Sequence, residues 1–128
     1  MGQKVNPIGL RVGISKTWNS KWYAGKDYPE QLKQDLSIQN FVKKRLKHAA
    51  ISHIEVERTA KKTKVNIFTA RPGIIIGRKG DEVERLKHEL NKLTRHEVIV
   101  NIKEIKRPEI EATLVAENIA NQLERRIA

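Results

Sequence analysis

Cysteine is absent from all 128 residues, which removes disulfides, thiolate zinc sites and a cysteine nucleophile together and leaves the redox compartment unspecified. Long apolar runs are absent too. None exceeds three residues, as at 74–76, against the roughly 20 that span a bilayer. The expectation is a soluble chain with no membrane partner and no secretory signal. Met1-Gly2 opens a myristoylation pattern, but that pattern wants Ser or Thr where Asn6 stands.

The motifs of enzymes are missing as well. His48, His53, His88 and His96 are the only histidines, and none has a second His or Cys at metal-ligand spacing, so no metal site is expected. Gly73 and Gly77 with Lys79 fail the nucleoside-triphosphate loop spacing: Lys79 precedes Gly80, and Asp81 stands where the hydroxyl belongs. A Gly-x-Gly-x-x-Gly run for dinucleotides is absent. No nucleophile can be matched to a base and an orienting partner. The expectation is therefore no catalytic residue, no cofactor and no small-molecule substrate.

Positive charge is what the chain has in excess. Lys plus Arg number 26 against 15 Asp plus Glu, so 26 − 15 gives +11, and the sequence pI is about 10.1. A polyanion is the partner such a balance fits. The first 26 residues carry Lys4, Arg11, Lys16, Lys21 and Lys26 and no acid at all. Gly9, Gly13, Gly25 and Pro7 break this stretch, which reads as a basic arm over residues 1–28 rather than as a packed helix or a long strand. Trp18, Trp22 and Tyr23 lie among its cations, where aromatic faces either stack on unpaired bases or anchor the arm to the core.

Residues 29–128 have room for one domain with a modest core. A helix is expected from Pro29 to near His48, with Leu32, Leu36, Val42 and Leu46 on one face and Lys43 and Lys44 exposed at its end. Ile54 and Val56, then Val65 and Ile67, alternate with polar residues and predict two half-buried strands. The turn between them, from Thr59 to Lys62, gathers Lys61, Lys62 and Lys64. Arg71-Pro72-Gly73 ends the second strand, and 74–76 fits one helical turn. Val83, Leu86, Leu90 and Leu93 predict a helix over 81–94; Val98, Val100 and Ile102 predict a third strand. Pro108 opens a last helix with a broad apolar face of Ala112, Val115, Ala116, Ile119, Leu123 and Ile127.

Between the one-turn helix and the next lies Gly77-Arg78-Lys79-Gly80. Two glycines three residues apart let the backbone bend and approach a ligand closely, and Arg78 and Lys79 supply charge at the tip. Helix starts leave amides without internal partners, so the turn offers a phosphate both donors and positive potential.

A Gly-x-x-Gly turn joining two helices among strands resembles the KH domain, whose loop clamps nucleotides by their backbone. The embedding is more specific. Residues 71–86, from Arg71-Pro72-Gly73 through Gly77-Arg78-Lys79-Gly80 to Leu86, look nearly residue for residue like the signature of the KH protein family of the bacterial small ribosomal subunit, the universal head protein numbered third. Residues 2–13 and the Trp-rich basic stretch at 17–23 look like that family's N-terminal arm.

The resemblance implies an α+β fold: a type II KH domain over 29–128, with a three-stranded mixed sheet, helices packed on one face, and the extended basic arm. In it the strand at 63–70 is central, antiparallel to 54–58 and parallel to 98–103. It also implies a cytoplasmic ribosomal component that binds small-subunit rRNA, touches neighbouring head proteins and lies near the path by which mRNA enters. Family members normally continue into a second domain that this chain does not include. The RNA-binding residues expected from charge and motif together are Gly77, Arg78, Lys79, Gly80, Arg71, Lys4, Arg11, Lys16, Lys21, Trp22, Lys26, Lys43, Lys44, Lys61, Lys62 and Lys64. A free-standing KH module of an assembly or transcription factor, and a nuclease, are the competing readings.

Overall fold

The computed structural model describes residues 2–127. Its first element is a short helix, α1 (Pro7–Arg11), which starts because the Asn6 side chain accepts from the amides of Ile8 (2.9 Å) and Gly9 (3.2 Å) while Pro7 fills a position that needs no N–H. None of its residues is buried. A two-residue strand, β1 (Ser20–Lys21), follows.

Helix α2 (Tyr28–Arg45) carries Pro29 and Glu30 in its first turn and Lys43, Lys44 and Arg45 in its last, each suited to the local end of the helix dipole. A 3-10 turn at Lys47–Ala49 and left-handed Ala50 (φ 52°) then redirect the chain into β2 (Ile51–Arg58). Thr59 closes the hairpin to β3 (Lys62–Thr69): its amide and its hydroxyl both donate to the Lys62 carbonyl, at 2.9 and 3.0 Å. Helices α3 (Pro72–Ile76) and α4 (Asp81–Thr94) lead to β4 (Glu97–Glu104), and α5 (Ala112–Glu124) is the last helix of the described residues.

The sheet has the order β1-β2-β3-β4, with β2 and β3 antiparallel and the β1/β2 and β3/β4 pairs parallel. The parallel β3/β4 pair requires a crossover, which α3 and α4 supply. Register places Ile54, Ile67 and Ile102 in one row and Val56, Val65 and Val100 in the next. A strand repeats every second residue, so these rows share one face. Ile38 and Val42 of α2, Leu46 just beyond its end, Ile75 of α3 and Leu86 and Leu90 of α4 close over this face in a single core. Burying each such side chain contributes about 1.5–3 kcal/mol.

The structure corrects several sequence expectations. The sheet has four strands, not three: the Asn19 carbonyl accepts from the Val56 amide at 2.7 Å and brings Ser20 and Lys21 alongside β2. Two residues are too few to print an alternation in sequence. On α2, Val42 is buried as expected, as is Leu46 just beyond its end, but Leu32 and Leu36 are 37% and 52% exposed while Asp35 and Ile38 turn inward. The inward position of Asp35 is held by an ion pair to Arg58, which hydropathy cannot anticipate.

Strands β2 and β3 are also more than half-buried. Glu55 and Asn66 lie on the face away from the helices yet are 7% and 3% exposed. Lys21 reaches Glu55 at 3.1 Å, and Asn66 donates to Glu57 and accepts from Asn101, both at 3.1 Å, so polar cross-strand bonds close this face. The last helix departs furthest from expectation: only Leu114 is buried, while Val115, Ile119 and Leu123 face outward.

Candidate nucleic-acid interface

The glycine turn is set from below by Thr69, which is fully buried at the end of β3. Its hydroxyl donates to the Ala49 carbonyl and accepts from the Arg71 amide at 3.0 Å. That fixes where the chain leaves the sheet, and Pro72 starts α3 one residue later. Ile75 points into the core at 1% exposure, while Ile74 and Ile76 are partly exposed beside the turn. Both α3 and α4 pack against β4, the edge strand, so the turn is carried on rigid elements.

The Gly77 amide closes α3 by donating to the Gly73 carbonyl at 3.1 Å. Gly77 itself adopts φ 69°, ψ −168°, a region open essentially to glycine alone. Lys79 (φ 54°, ψ 19°) and Gly80 (φ 83°, ψ 8°) are both left-handed, and Asp81 then begins α4. These residues, out of helical register, turn the tip outward. Arg78 and Lys79 are exposed, and among the described residues neither forms an ion pair. Asp81, Glu82 and Glu84 occupy the first turn of α4, where they stabilise the helix and offset part of its positive end. The cations of this turn therefore reside in the Arg78 and Lys79 side chains more than in the helix dipole.

The other expected residues fall on separate features. Arg71 is exposed and lines a groove of about 820 Å³ together with Lys47, His48 and Arg125 and with Glu109 and Glu117. Lys43 and Lys44 are exposed at the end of α2 and form no ion pair among the described residues, whereas their neighbour Arg45 approaches Glu89 at 3.4 Å. At the hairpin, Lys61 and Lys64 are exposed and Lys62 lies 3.6 Å from Glu97. Lys4, Arg11, Lys16 and Lys26 are exposed in the N-terminal segment. Lys21 is held by Glu55, and Trp22 is half-buried, its indole N–H donated to Asp35 and its ring 5.4 Å from that of Tyr28.

One feature of the surface escaped the sequence. His53 stacks on Phe68 at 4.2 Å and the Lys103 ammonium stands 5.2 Å from the same ring, a row across three strands that only the register assembles. Burial pulls His53 below the ordinary histidine value, opposed by Glu55 and Glu111 and helped by Lys16 and Lys21. Among the described residues no cluster of His, Asp or Glu is arranged to hold a metal, and no helix is long and apolar enough to cross a membrane.

Comparison with known proteins matches residues 37–110 to the KH domain family model. The small ribosomal subunit protein uS3 of Geobacter sp. (strain M21) is 66% identical over all 128 residues of this chain, which cover 61% of that protein. The uS3 protein of Citrifermentans bemidjiense is likewise 66% identical with 61% of its length covered, and that of Syntrophus aciditrophicus 62% identical with 59% covered. The chain thus spans about three fifths of the length of these curated relatives. With the matched model covering the glycine turn, both flanking helices and three of the four strands, the chain belongs to the KH domain family.

Proposed function

We propose that this chain is an RNA-binding, non-catalytic constituent of the small ribosomal subunit, working in the cytoplasm as part of the ribosome. The element order α2-β2-β3-α3-α4-β4 supports reading the domain as a type II KH domain, with the basic segment before it as an arm. The relatives named uS3 support the ribosomal reading, and the fold supports RNA as the ligand. The observation that carries it is the outward turn at 77–80, where Arg78 and Lys79, without an ion pair among the described residues, follow Gly77 in a conformation only glycine allows.

In this reading the arm and the turn neutralise phosphates of small-subunit rRNA, and other faces meet neighbouring head proteins. Exposed Lys4, Arg11, Lys16 and Lys26 supply the arm's charge; Arg78 and Lys79 supply the turn's; Arg71, Lys43, Lys44, Lys61, Lys62 and Lys64 extend it along the domain. Contact with mRNA near the path by which it enters the subunit is the further part of the proposal. Lys21 and Trp22 contribute through the protein, since each already has a partner within it.

Counterion release provides the test. Affinity for single-stranded RNA should fall with salt at a slope of roughly 0.7 per phosphate neutralised. A flat salt dependence would remove the electrostatic reading. Co-sedimentation with small subunits separates a ribosomal component from a free-standing KH module, which would stay in the supernatant, and intact labelled RNA after prolonged incubation with divalent metal would exclude a nuclease.

A further inference from the structure

Asp35 is a carboxylate 1% exposed in the first half of α2, and its oxygens have donors from two directions. One oxygen accepts from Nε and Nη2 of Arg58 at the end of β2; the other accepts from the indole N–H of Trp22. Arg58 is fixed in turn by the Gln34 side chain at 3.2 Å and the Gln31 carbonyl at 3.4 Å. A charge withdrawn from water is tolerated only when its lone pairs find such partners. Of these partners, Trp22 alone comes from the N-terminal segment.

The alternation of β1 explains how one segment reaches both layers. Successive side chains of a strand point to opposite faces, so Lys21 goes to the outer face and Glu55, while Trp22 goes to the helix side and Asp35. The bond from the Val56 amide to the Asn19 carbonyl holds the backbone just before them. Residues 19–22 are thus clamped in three directions, whereas residues 2–18 are exposed except for half-buried Val12.

We infer that Trp22 is a positioning residue for RNA. By donating to Asp35 it fixes the point at which the basic segment leaves the sheet, so that Lys4, Arg11 and Lys16 meet phosphates from a set origin and direction instead of from a loose tether. A preordered segment loses less conformational freedom on binding, and its affinity rises without any added charge. Trp22 acts here through its N–H rather than as a stacking platform for a base, since its ring is half-buried and Tyr28 lies beside it. The inference rests on the RNA-binding reading above and assigns to an uncharged residue part of the electrostatic affinity.

The test uses the full chain, a fluorescent single-stranded RNA of mixed sequence, and the pair Trp22→Phe and Trp22→Tyr. Phenylalanine removes the donor; tyrosine returns one on a ring of similar size. Trp22→Phe should bind RNA roughly tenfold more weakly at low salt, with the salt slope reduced by roughly 0.7 for each phosphate that is no longer neutralised, and Trp22→Tyr should recover part of both. Trypsin should cut after Lys16 and Lys21 faster in the Phe variant. In a background of Lys4→Ala, Arg11→Ala and Lys16→Ala, Trp22→Phe should have no further effect on binding. Equal affinity and slope for parent, Phe and Tyr would overturn the inference, as would an equal loss in the charge-stripped background. If the parent binds no RNA at any salt, the RNA reading fails instead, and an unchanged tryptic rate then overturns the latch on its own.

Discussion

A side chain on Gly77 would collide with Glu82: an ideal Cβ there stands 2.7 Å from the Glu82 Cγ and 3.0 Å from its Cβ. The backbone adds a second obstacle, since φ 69° with ψ −168° is all but closed to other residues. Gly77→Ala should therefore cost about 1–3 kcal/mol and reshape the turn. Gly80 has positive φ but nothing within 4 Å of its missing Cβ, so Gly80→Ala should cost only about 1 kcal/mol. Urea melts of the two variants should rank them in that order; equal midpoints would mean that Glu82 swings aside freely.

Charge reversal at the tip tests binding without testing the fold. Arg78 and Lys79 are exposed and unpaired among the described residues, so Arg78→Asp with Lys79→Asp should leave stability within about 0.5 kcal/mol. Affinity for single-stranded RNA should drop roughly tenfold or more, because two attractive charges become repulsive. A double variant that binds as well as the parent would move the grip to the N-terminal segment.

The buried pair of Asp35 and Arg58 should behave asymmetrically. Asp35→Ala strands a guanidinium that is itself only 10% exposed, at a cost of about 3–5 kcal/mol. Replacing both with Asp35→Leu and Arg58→Met should recover most of that loss. Thermal melts of the single and double variants decide it, and a double variant as unstable as the single would show that the pair is favourable beyond mutual neutralisation.

Acid should weaken the fold through His53. Burial holds its folded value below the ordinary 6.5, so between those two values the unfolded chain binds more protons than the folded one. Stability contributed by this group is present above about pH 6.5 and is lost as pH falls through the folded value. His53→Asn should flatten the dependence of the melting temperature on pH across this window. If the parent and the variant lose stability in parallel, the response belongs to other groups.

How much of this was legible beforehand depended on whether one segment sufficed to express it. Helix α4 was expected at 81–94 and spans those residues, because its acidic first turn and the apolar positions Leu86 and Leu90 lie within it, although Leu93 of the expected stripe is exposed and Thr94 is buried instead. The Thr59 to Lys62 turn and the order of the later elements were equally local. Helix α2 misled at Leu32 and Leu36 because what faces the core at that level is Asp35, whose partner Arg58 lies 23 residues further on.

By itself, then, the sequence determined charge, the order of the elements from α2 onward and the place of the glycine turn, since each is fixed by residues near one another in the chain. Tertiary structure alone decided that Ser20 and Lys21 form a fourth strand, that Glu55 and Asn66 are covered, and that His53, Phe68 and Lys103 share a row. It also decided which cations are free, because ion pairs such as Lys21 with Glu55 join residues 34 apart, and a charge is neutralised by what folding brings beside it rather than by what precedes it in the chain.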